Sequence, residues 1–313
     1  MEEFTRIVKP KSKTRLDKYL YKAGLGLSRS SIQKLIEEGK VLVDGEPKKS
    51  HHILRPGEKV TVIYERPKRF QVEPEPLPLD IVYEDDDLIV VNKPPGMVTH
   101  PAPGNLRGTL VNALLYHTKL ASQDDATRPG VIHRLDKDTS GLLVFAKREK
   151  PHIKLARQVE MRKIKRVYLA FVFGYFELDE GTIDAPIGRH TLERKKMAVT
   201  PLLSRSAITH FHVIKRFAHI TYLRLWLETG RTHQIRVHLA HIGHPVVGDT
   251  TYGGRKKPPK MEMKEFKEIM RIMKRQALHA TSLGFEHPTL KRYMEFTVPL
   301  PQDMQELFDF LTK

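Results

Sequence analysis

The 313-residue chain contains no cysteine. That absence excludes disulfide bonds, thiolate catalysis and metal sites with sulfur ligands. The chain also lacks any run close to the roughly 20 apolar residues that a membrane-spanning helix needs, and it does not begin with a basic segment followed by an apolar one. We therefore expect a protein of the reducing cytoplasm with no membrane segment.

Sequences that bind nucleotides are missing too, since the chain has neither a Walker sequence nor a Gly-x-Gly-x-x-Gly turn. Three histidines, His238, His241 and His244, recur at a spacing that brings side chains together on a helix. However, no carboxylate stands between them in a His-Glu-x-x-His arrangement, and Gly243 predicts that the helix ends before His244. We expect neither a metal nor a cofactor.

Positive charge is what the chain has in excess. Lys and Arg total 54 against 37 Asp and Glu, which gives a formal net charge of +17. A surface of this kind attracts polyanions, because their binding releases condensed counterions. Nucleic acid is therefore the first candidate partner, and solubility alone is the alternative explanation of the basic composition.

Prolines and charges dominate residues 67–80, which predicts an extended, poorly packed segment. We place the domain boundary there and expect a small domain at residues 1–72, a linker at 73–79 and a large domain at 80–313. The small domain holds seventeen basic and nine acidic side chains. Net positive charge is therefore concentrated in the small domain.

Apolar residues at helical spacing predict two short helices in the small domain, around residues 16–20 and 32–36, with Ser28 or Ser30 as the cap of the second. Strands are predicted at residues 41–44 and 57–64. Across about sixty residues this pattern resembles an S4-type RNA-binding domain. The alternative is a helix pair with a merely solvated basic face. The cations expected to contact RNA are Arg15, Lys18, Arg29, Lys34 and Lys40.

From residue 79 onward, strand and helix patterns follow one another irregularly. The strict alternation of a parallel doubly wound sheet is absent, so we expect an α+β domain with a mainly antiparallel mixed sheet flanked by helices. Strands are predicted at residues 80–83, 88–92, 142–146, 167–173, 208–213 and 221–228, and helices at residues 109–117, 152–162, 232–242, 263–275 and 303–311.

The run His-Arg-Leu-Asp-Lys-Asp-Thr-Ser-Gly-Leu at residues 133–142 is the most informative stretch. Polar and turn-forming residues stand directly before an apolar strand there, so Asp136 and Asp138 should lie on a loop held by a rigid element, where reactive groups are commonly displayed. The local pattern leaves an alternative open, an Asx-type turn in which the carboxylate only binds backbone amides.

The wider pattern resembles the RluA-type pseudouridine synthases over nearly the whole chain. The run at residues 133–142 matches the hallmark of that family without a gap. Further matches follow in order: Lys-Arg-Val-Tyr-Leu-Ala at 165–170, Thr-Gly-Arg-Thr-His-Gln-Ile-Arg-Val-His at 229–238, Gly-His-Pro-Val-Val-Gly-Asp at 243–249, Arg-Gln-Ala-Leu-His-Ala at 275–280 and Val-Pro-Leu-Pro-Gln-Asp-Met at 298–304.

The resemblance implies an isomerase that converts uridine to pseudouridine in structured RNA, and it points to the branch of the family that modifies large-subunit ribosomal RNA. It assigns the reactive carboxylate to Asp136, a guanidinium partner to Arg236 and contact with the target base to Tyr168. A guanidinium fork can hold a shielded carboxylate in its charged form. The isomerisation needs no oxidant or energy source, and a monomer is the default state.

The same resemblance suggests four further RNA contacts. Arg134 would occupy the space left by the extruded base, because its planar group can both stack and hydrogen-bond. His133 would orient the loop, while Lys137 and Arg231 would contact phosphate. Spacing alone supports none of these roles.

Two other classes of function remain open at this stage. A ribosome-associated factor that binds RNA without catalysis fits the composition equally well. A hydrolase that cleaves the nucleoside bond would need two carboxylates across that bond, for which Asp136 and Asp138 are available. Intact motifs around Asp136, Tyr168 and Arg236 favour the synthase, because binding alone would not require them.

Overall fold

The computed structural model describes residues 2–8, 14–25, 27, 29–64, 72–102, 104–121, 128–193 and 196–313. Two compact units make up the chain, Met1–Phe70 and Gln71–Lys313. The division falls two residues before the boundary that we predicted. Of the two candidate helix caps, Ser28 and the side chain of Ser30 both lie outside the described part of the protein.

Residues 72–79 are extended, but they pack against the second unit. Val72, which we had assigned to the small domain, is buried in the core of that unit. The Asn112 side chain donates to the Glu73 carbonyl at 2.7 Å, and the Glu75 amide donates to the Asn112 carbonyl at 3.0 Å. The segment predicted as a poorly packed linker is thus tied to the large unit by burial and hydrogen bonds.

The first unit pairs a helical hairpin with a small antiparallel sheet. The strand order is β1-β6-β3-β4, and β2 pairs separately with β5. In β6, buried residues alternate with exposed ones because one face packs on the helices. Both predicted helices and both predicted strands are present. The elements are β1 (Glu2–Ile7), β2 (Thr14–Arg15), α1 (Leu16–Lys22), α2 (Arg29–Glu37), β3 (Val41–Val43), β4 (Glu46–Pro47), β5 (Ile53–Leu54) and β6 (Lys59–Tyr64).

The second unit contains every helix and strand that we predicted for it, with ends that differ by three residues at most, together with five strands that we did not predict. Its helices are α3 (Leu110–His117), α4 (Glu149–Glu160), α5 (Gln234–His241), α6 (Met263–Ile272) and α7 (Gln302–Thr312). Its predicted strands are β7 (Ile81–Glu84), β8 (Leu88–Lys93), β9 (Ser140–Ala146), β10 (Lys165–Phe173), β14 (Ile208–Arg216) and β15 (Ile220–Leu227), and its unpredicted ones are β11 (Glu180–Asp184), β12 (Ile187–Arg189), β13 (Met197–Val199), β16 (Leu278–Glu286) and β17 (Tyr293–Thr297).

One large sheet organises this unit, with the strand order β11-β14-β15-β10-β16-β9-β8-β7, and β17 pairs with β16. Among its described strand pairs only β9 and β16 run parallel. This is the mainly antiparallel mixed sheet expected from the sequence, and the α+β assignment is confirmed. Within the described residues, no helix combines the length and apolar character needed to cross a membrane.

The sheet places three of the sequence motifs in one row. Tyr168 on β10 is opposite Ala280 on β16, which in turn is opposite Gly141 on β9. Gly141 has φ +117°, and a Cβ at this position would lie 2.2 Å from the Ala280 carbonyl oxygen. Only glycine permits that close approach. The loop that carries Asp136 therefore leads into β9, and only β16 separates β9 from the strand that carries Tyr168.

Candidate active site

A cavity of about 310 Å³ opens in the second unit beside the loop that precedes β9. Asp136 and Asp138 come from this loop, and His233 and Arg236 come from the start of α5. These side chains thus come from a loop that leads into the sheet and from the start of a flanking helix, a setting in which loop residues are held by rigid elements.

Asp136 and Arg236 lie one hundred residues apart in sequence and form an ion pair in the cavity wall. Arg236 Nη1 donates to Asp136 Oδ2 at 2.9 Å. The side chain of Asp136 is 17% exposed and that of Arg236 only 6%. No described residue donates to Asp136 Oδ1. One carboxylate oxygen is therefore held by the guanidinium, and the other is available to a substrate.

A second carboxylate, Asp249, holds Arg236 from its other side. Arg236 Nε and Nη2 donate to the two oxygens of Asp249 at 2.7 and 2.9 Å, and the Asp249 side chain is fully buried. Burial opposes the charge on Arg236, but the hydrogen bonds and charge of Asp249, followed by those of Asp136, raise the pKa of Arg236 above its ordinary value. The guanidinium is permanently charged and its orientation is fixed.

His233 and Tyr252 form a hydrogen-bonded pair next to this cluster. His233 Nδ1 lies 2.8 Å from the Tyr252 hydroxyl, which accepts a hydrogen bond from the Met197 amide at 2.9 Å. The opposite ring nitrogen, His233 Nε2, lies 3.9 Å from Asp136 Oδ2. The Tyr252 ring also lies 5.1 Å from the Arg236 guanidinium carbon. Sequence reasoning gave His233, Asp249 and Tyr252 no role.

Tyr168 lies on β10, with only 5% of its surface exposed. Burial raises the pKa of its phenol, the charge of Arg166 opposes that effect, and the charge of Asp136 adds to it, so the phenol stays protonated and lies near the carboxylate. Its hydroxyl makes no hydrogen bond to any residue that the structure describes. Asp136 and Arg236 are therefore in contact, and Tyr168 is close enough for the charge of Asp136 to act on its phenol, although Tyr168 does not line the cavity.

Three buried side chains fix the backbone on both sides of Asp136. Thr99 Oγ1 donates to the carbonyl of the preceding residue at 2.9 Å, and Lys93 Nζ donates to the carbonyl of the following residue at 3.0 Å. Arg275 Nη1 donates to the carbonyl two residues after Asp136 at 3.0 Å. A loop held at the carbonyls of residues 135, 137 and 138 keeps its carboxylate in place without help from a substrate.

Lys93 is fully buried and also donates to the carbonyls of Pro94 and Met97, at 2.8 and 2.9 Å. Lysine is rarely buried to this extent, so the residue has a structural task. Burial lowers the pKa of Lys93 to about 7, the charge of Arg275 adds to that effect, and the charges of Asp138 and Asp136 oppose it.

Lys93→Met is expected to lower the free energy of unfolding by about 2–4 kcal/mol near neutral pH, because three part-buried carbonyls lose their donor. In the unfolded chain the pKa of this lysine returns to 10.5. Between pH 7 and pH 10.5 the unfolded state binds a proton that the folded state does not. The contribution of Lys93 to the free energy of unfolding therefore increases over this range, by about 1.4 kcal/mol per pH unit. Urea unfolding of both proteins at several pH values measures this difference, and a difference that does not change with pH would contradict it.

The remaining predicted RNA contacts of the large unit fall into two groups. Arg134 and Lys137 are exposed and line the cavity. His133 faces inward instead, and its Nε2 accepts a hydrogen bond from the Val144 amide at 3.4 Å. Burial, aided by the charge of Arg166, lowers the pKa of His133 to about 3. His133 is therefore neutral, and it supports the loop through this hydrogen bond to Val144.

Arg231 lies in the turn before α5 but does not line the cavity. Its Nε donates to the Ser206 carbonyl at 3.1 Å. Burial lowers its pKa, and the charges of Arg205 and Arg162 lower it further, which shows that several cations gather at this turn. The position suits contact with an anion next to the cavity rather than inside it.

In the first unit the predicted cations are exposed or half-buried, and three of them have acidic neighbours. Lys34 and Lys40 both approach Glu38, at 3.6 and 2.7 Å, and Arg15 pairs with Asp17 at 2.7 Å. Exposed pairs of this kind contribute little to stability, so they can be exchanged for phosphate contacts.

Arg29 and Lys18 are exposed on the two helices of the first unit. The Arg29 guanidinium carbon lies 4.8 Å from the centre of the Tyr21 ring. Arg29 thus combines a cation with an exposed aromatic neighbour, a combination that suits stacking as well as phosphate contact.

Of the three histidines considered as metal ligands, two have hydrogen-bond partners and the third is exposed. His238 uses both ring nitrogens, 2.9 Å from Thr209 Oγ1 and 2.9 Å from the Ala185 carbonyl. His244 Nδ1 lies 3.0 Å from the Phe173 carbonyl, and His241 is exposed. In the described part of the chain no group of three or more His, Asp or Glu side chains could hold a metal ion.

Comparison with known proteins shows which family this chain resembles. Residues 87–241 match the sequence profile of the RNA pseudouridylate synthases, and residues 14–60 match that of the S4 domain. YlyB of Bacillus subtilis, described as an uncharacterized RNA pseudouridine synthase, is 47% identical over 96% of this chain and 94% of its own. The chain belongs to the RNA pseudouridylate synthase family.

Other members of the family agree with this assignment. The ribosomal large subunit pseudouridine synthase D of Pasteurella multocida is 46% identical over 95% of this synthase and 91% of its own chain, and that of Escherichia coli K12 is 46% identical over 95% and 90%. Among solved structures, human RNA pseudouridylate synthase domain containing 1 superposes with a TM-score of 0.54 at 27% identity, over 75% of this chain and 95% of its own. The resemblance inferred from the motifs is confirmed.

Proposed function

We propose that this synthase isomerises uridines in a structured segment of large-subunit ribosomal RNA, with Asp136 as the residue that acts at the sugar. The observation that carries the proposal is the ion pair between Asp136 and Arg236 in the wall of a cavity. Support for the RNA comes from relatives that are described as large-subunit enzymes and align over nearly the whole chain.

The chemistry requires an ionised carboxylate near the anomeric carbon of the target nucleotide. Arg236 binds one oxygen of Asp136 and leaves the other oxygen to the substrate. Asp136 either attacks the anomeric carbon or removes a proton from the sugar, and in both courses the free oxygen is the reacting atom. The buried Asp249 keeps Arg236 oriented while this happens.

A uracil reaches the cavity only after it leaves its stack, which costs a few kcal/mol. Arg134 is exposed at the rim of the cavity and can fill the vacated space, while Lys137, Arg231 and the cations of the S4 domain bind phosphate. Tyr168 is 5% exposed and is not among the residues that line the cavity, so a base that reaches it meets its edge and hydroxyl rather than a whole ring face. That hydroxyl is suited to move the proton from C5.

Two further statements belong to the proposal. The synthase acts in the cytoplasm, where its RNA substrate is made. It also acts as a monomer, since all the groups assigned to the reaction come from one chain.

The test uses total RNA from a strain that lacks the gene for this synthase. Incubation with the pure protein should create new pseudouridines in large-subunit ribosomal RNA, which chemical mapping locates. New pseudouridines in transfer RNA alone would contradict the proposed substrate. If none appears at any position while the protein still binds RNA, a binding factor without catalysis is the better description. Release of free uracil would instead indicate hydrolysis.

A further inference from the structure

His233 has a backbone conformation that few side chains adopt. It stands just before α5 with φ +57° and ψ +19°, in the left-handed region that glycine favours. Such strain persists only where the surrounding structure enforces it, and it is concentrated at functional sites. Its effect here is to place the imidazole in the cavity wall beside Asp136.

The hydrogen bonds and charges around His233 favour one position of its ring proton. The Tyr252 hydroxyl accepts from the Met197 amide, so its own proton is free to be donated to His233 Nδ1. The ring proton then lies on Nε2, which faces Asp136. The opposite tautomer would turn a lone pair toward a carboxylate. Burial lowers the pKa of His233, the charge of Asp136 opposes that effect, and the ring is neutral at physiological pH.

The Nε2–H group has no acceptor among the residues that the structure describes. Its distance of 3.9 Å from Asp136 Oδ2 is too long for a hydrogen bond, and no other described residue accepts from it. Tyr252, held by the Met197 amide, therefore orients a neutral donor in the cavity wall that has no partner among the described residues. Unlike Arg236, this donor is not occupied by the catalytic carboxylate.

We propose that His233 is a catalytic residue whose Nε2–H donates to the uracil carbonyl oxygen next to the breaking bond, and to the other carbonyl oxygen once the base has turned. This inference rests on the proposed action of Asp136 at the sugar. It assigns to His233 the stabilisation of the detached base, a task that Asp136 and Arg236 leave open.

The electron balance of the reaction shows why one donor is enough. When the N1–C1′ bond breaks, both of its electrons stay with the uracil, and the negative charge spreads over N1, O2 and O4. O2 is the carbonyl oxygen beside N1 and so lies closest to the sugar and to Asp136. Rotation about the N3–C6 axis exchanges N1 with C5 and O2 with O4. C5 then forms the new bond to C1′, C5 loses its proton and N1 gains one.

A donor fixed beside Asp136 therefore meets O2 during cleavage and O4 during reattachment. It is neutral, so it does not neutralise the nearby carboxylate as a second cation would. A donor placed where charge develops in a water-poor site accelerates a reaction by about 10²–10³-fold. We expect His233 to contribute an effect of that size.

Two substitutions separate the donor from its packing. His233→Asn keeps an amide where Nδ1 meets Tyr252 but removes the group at Nε2, and asparagine tolerates the left-handed backbone. His233→Gln reaches the position of Nε2 with an amide N–H. We expect the Asn variant to lose about 10²–10³-fold in single-turnover rate at saturating RNA, and the Gln variant to recover most of that loss.

A modified substrate tests the contact itself. Replacing the target uridine by 2-thiouridine puts a weaker acceptor at O2, so the wild-type protein should slow down, whereas the Asn variant should treat the two RNAs alike. Equal discrimination by both proteins, a wild-type rate in the Asn variant, or a loss confined to RNA affinity would each overturn the proposal. If the variant does not fold, an unchanged wild-type rate on 2-thiouridine overturns it and a slower rate supports it. Failure of the proposed function is distinguishable, because then the wild-type protein forms no pseudouridine from any RNA.

Discussion

Asp136→Asn should abolish pseudouridine formation while the protein continues to bind RNA. The amide can neither attack the anomeric carbon nor remove a proton, and loss of the reacting group of an enzyme typically costs about 10⁴-fold or more in rate. Affinity should not fall, because the substitution removes a negative charge from a site that receives a polyanion. Single-turnover kinetics and a filter-binding titration with the same RNA measure the two effects separately.

Asp138→Asn provides the matched control for this variant. Asp138 lies on the same loop and lines the same cavity, but its side chain makes no ion pair with Arg236 or with any other described residue. The variant removes the same charge two residues away and should keep nearly the wild-type rate. Comparable losses in both variants would mean that the charge of the loop matters rather than the one carboxylate, and would remove Asp136 from its assigned role.

Much of the fold could be predicted because helix and strand periods are visible where one face of an element is buried. In β6, for example, apolar and polar residues alternate, and the strand was found where expected. The strand β16 was missed for the opposite reason. It lies between β10 and β9, is buried over almost its whole length, and contains Thr281, Ser282 and Gly284, so no alternation appears.

The linker prediction failed for a related reason. Prolines in an extended segment indicate its backbone conformation but not what it packs against. Val72 and the hydrogen bonds of Glu73 and Glu75 to Asn112 join the segment to the large unit, and the position of Asn112 on α3 could not be deduced from the proline pattern.

Motifs led to the prediction of Asp136, Tyr168 and Arg236 as site residues, but not to the groups around them. Asp249 and His233 stand within two of the motifs, yet nothing in a motif tells that Asp249 is fully buried or that His233 adopts a left-handed backbone. The sequence signal that could have identified Asp249 is an acidic residue directly after the glycine of a tight turn. Burial and ion pairing arise from long-range packing, which one sequence does not display.

Arg236→Gln should cost both stability and activity. Asp249 is fully buried, and without the guanidinium its donors among the described residues are the backbone amides of Thr251 and Tyr252 alone. Removing one partner from a buried ion pair typically destabilises a protein by about 3–5 kcal/mol, because the remaining charge is uncompensated. Urea unfolding measures this loss. Pseudouridine formation should also fall sharply, since Asp136 loses the cation that holds its Oδ2.

The double variant Arg236→Gln/Asp249→Asn separates these two effects. Two neutral amides can hydrogen-bond to each other, so most of the lost stability should return. Activity should remain low, because Asp136 still has no cationic partner. A double variant that recovers its rate together with its stability would show that Arg236 only maintains the fold. A double variant that stays as unstable as Arg236→Gln would show that the buried carboxylate was not the cause of the loss. The expected result, a stable protein with little activity, would show that Arg236 does more than compensate the buried charge of Asp249, and that its ion pair with Asp136 is needed for activity.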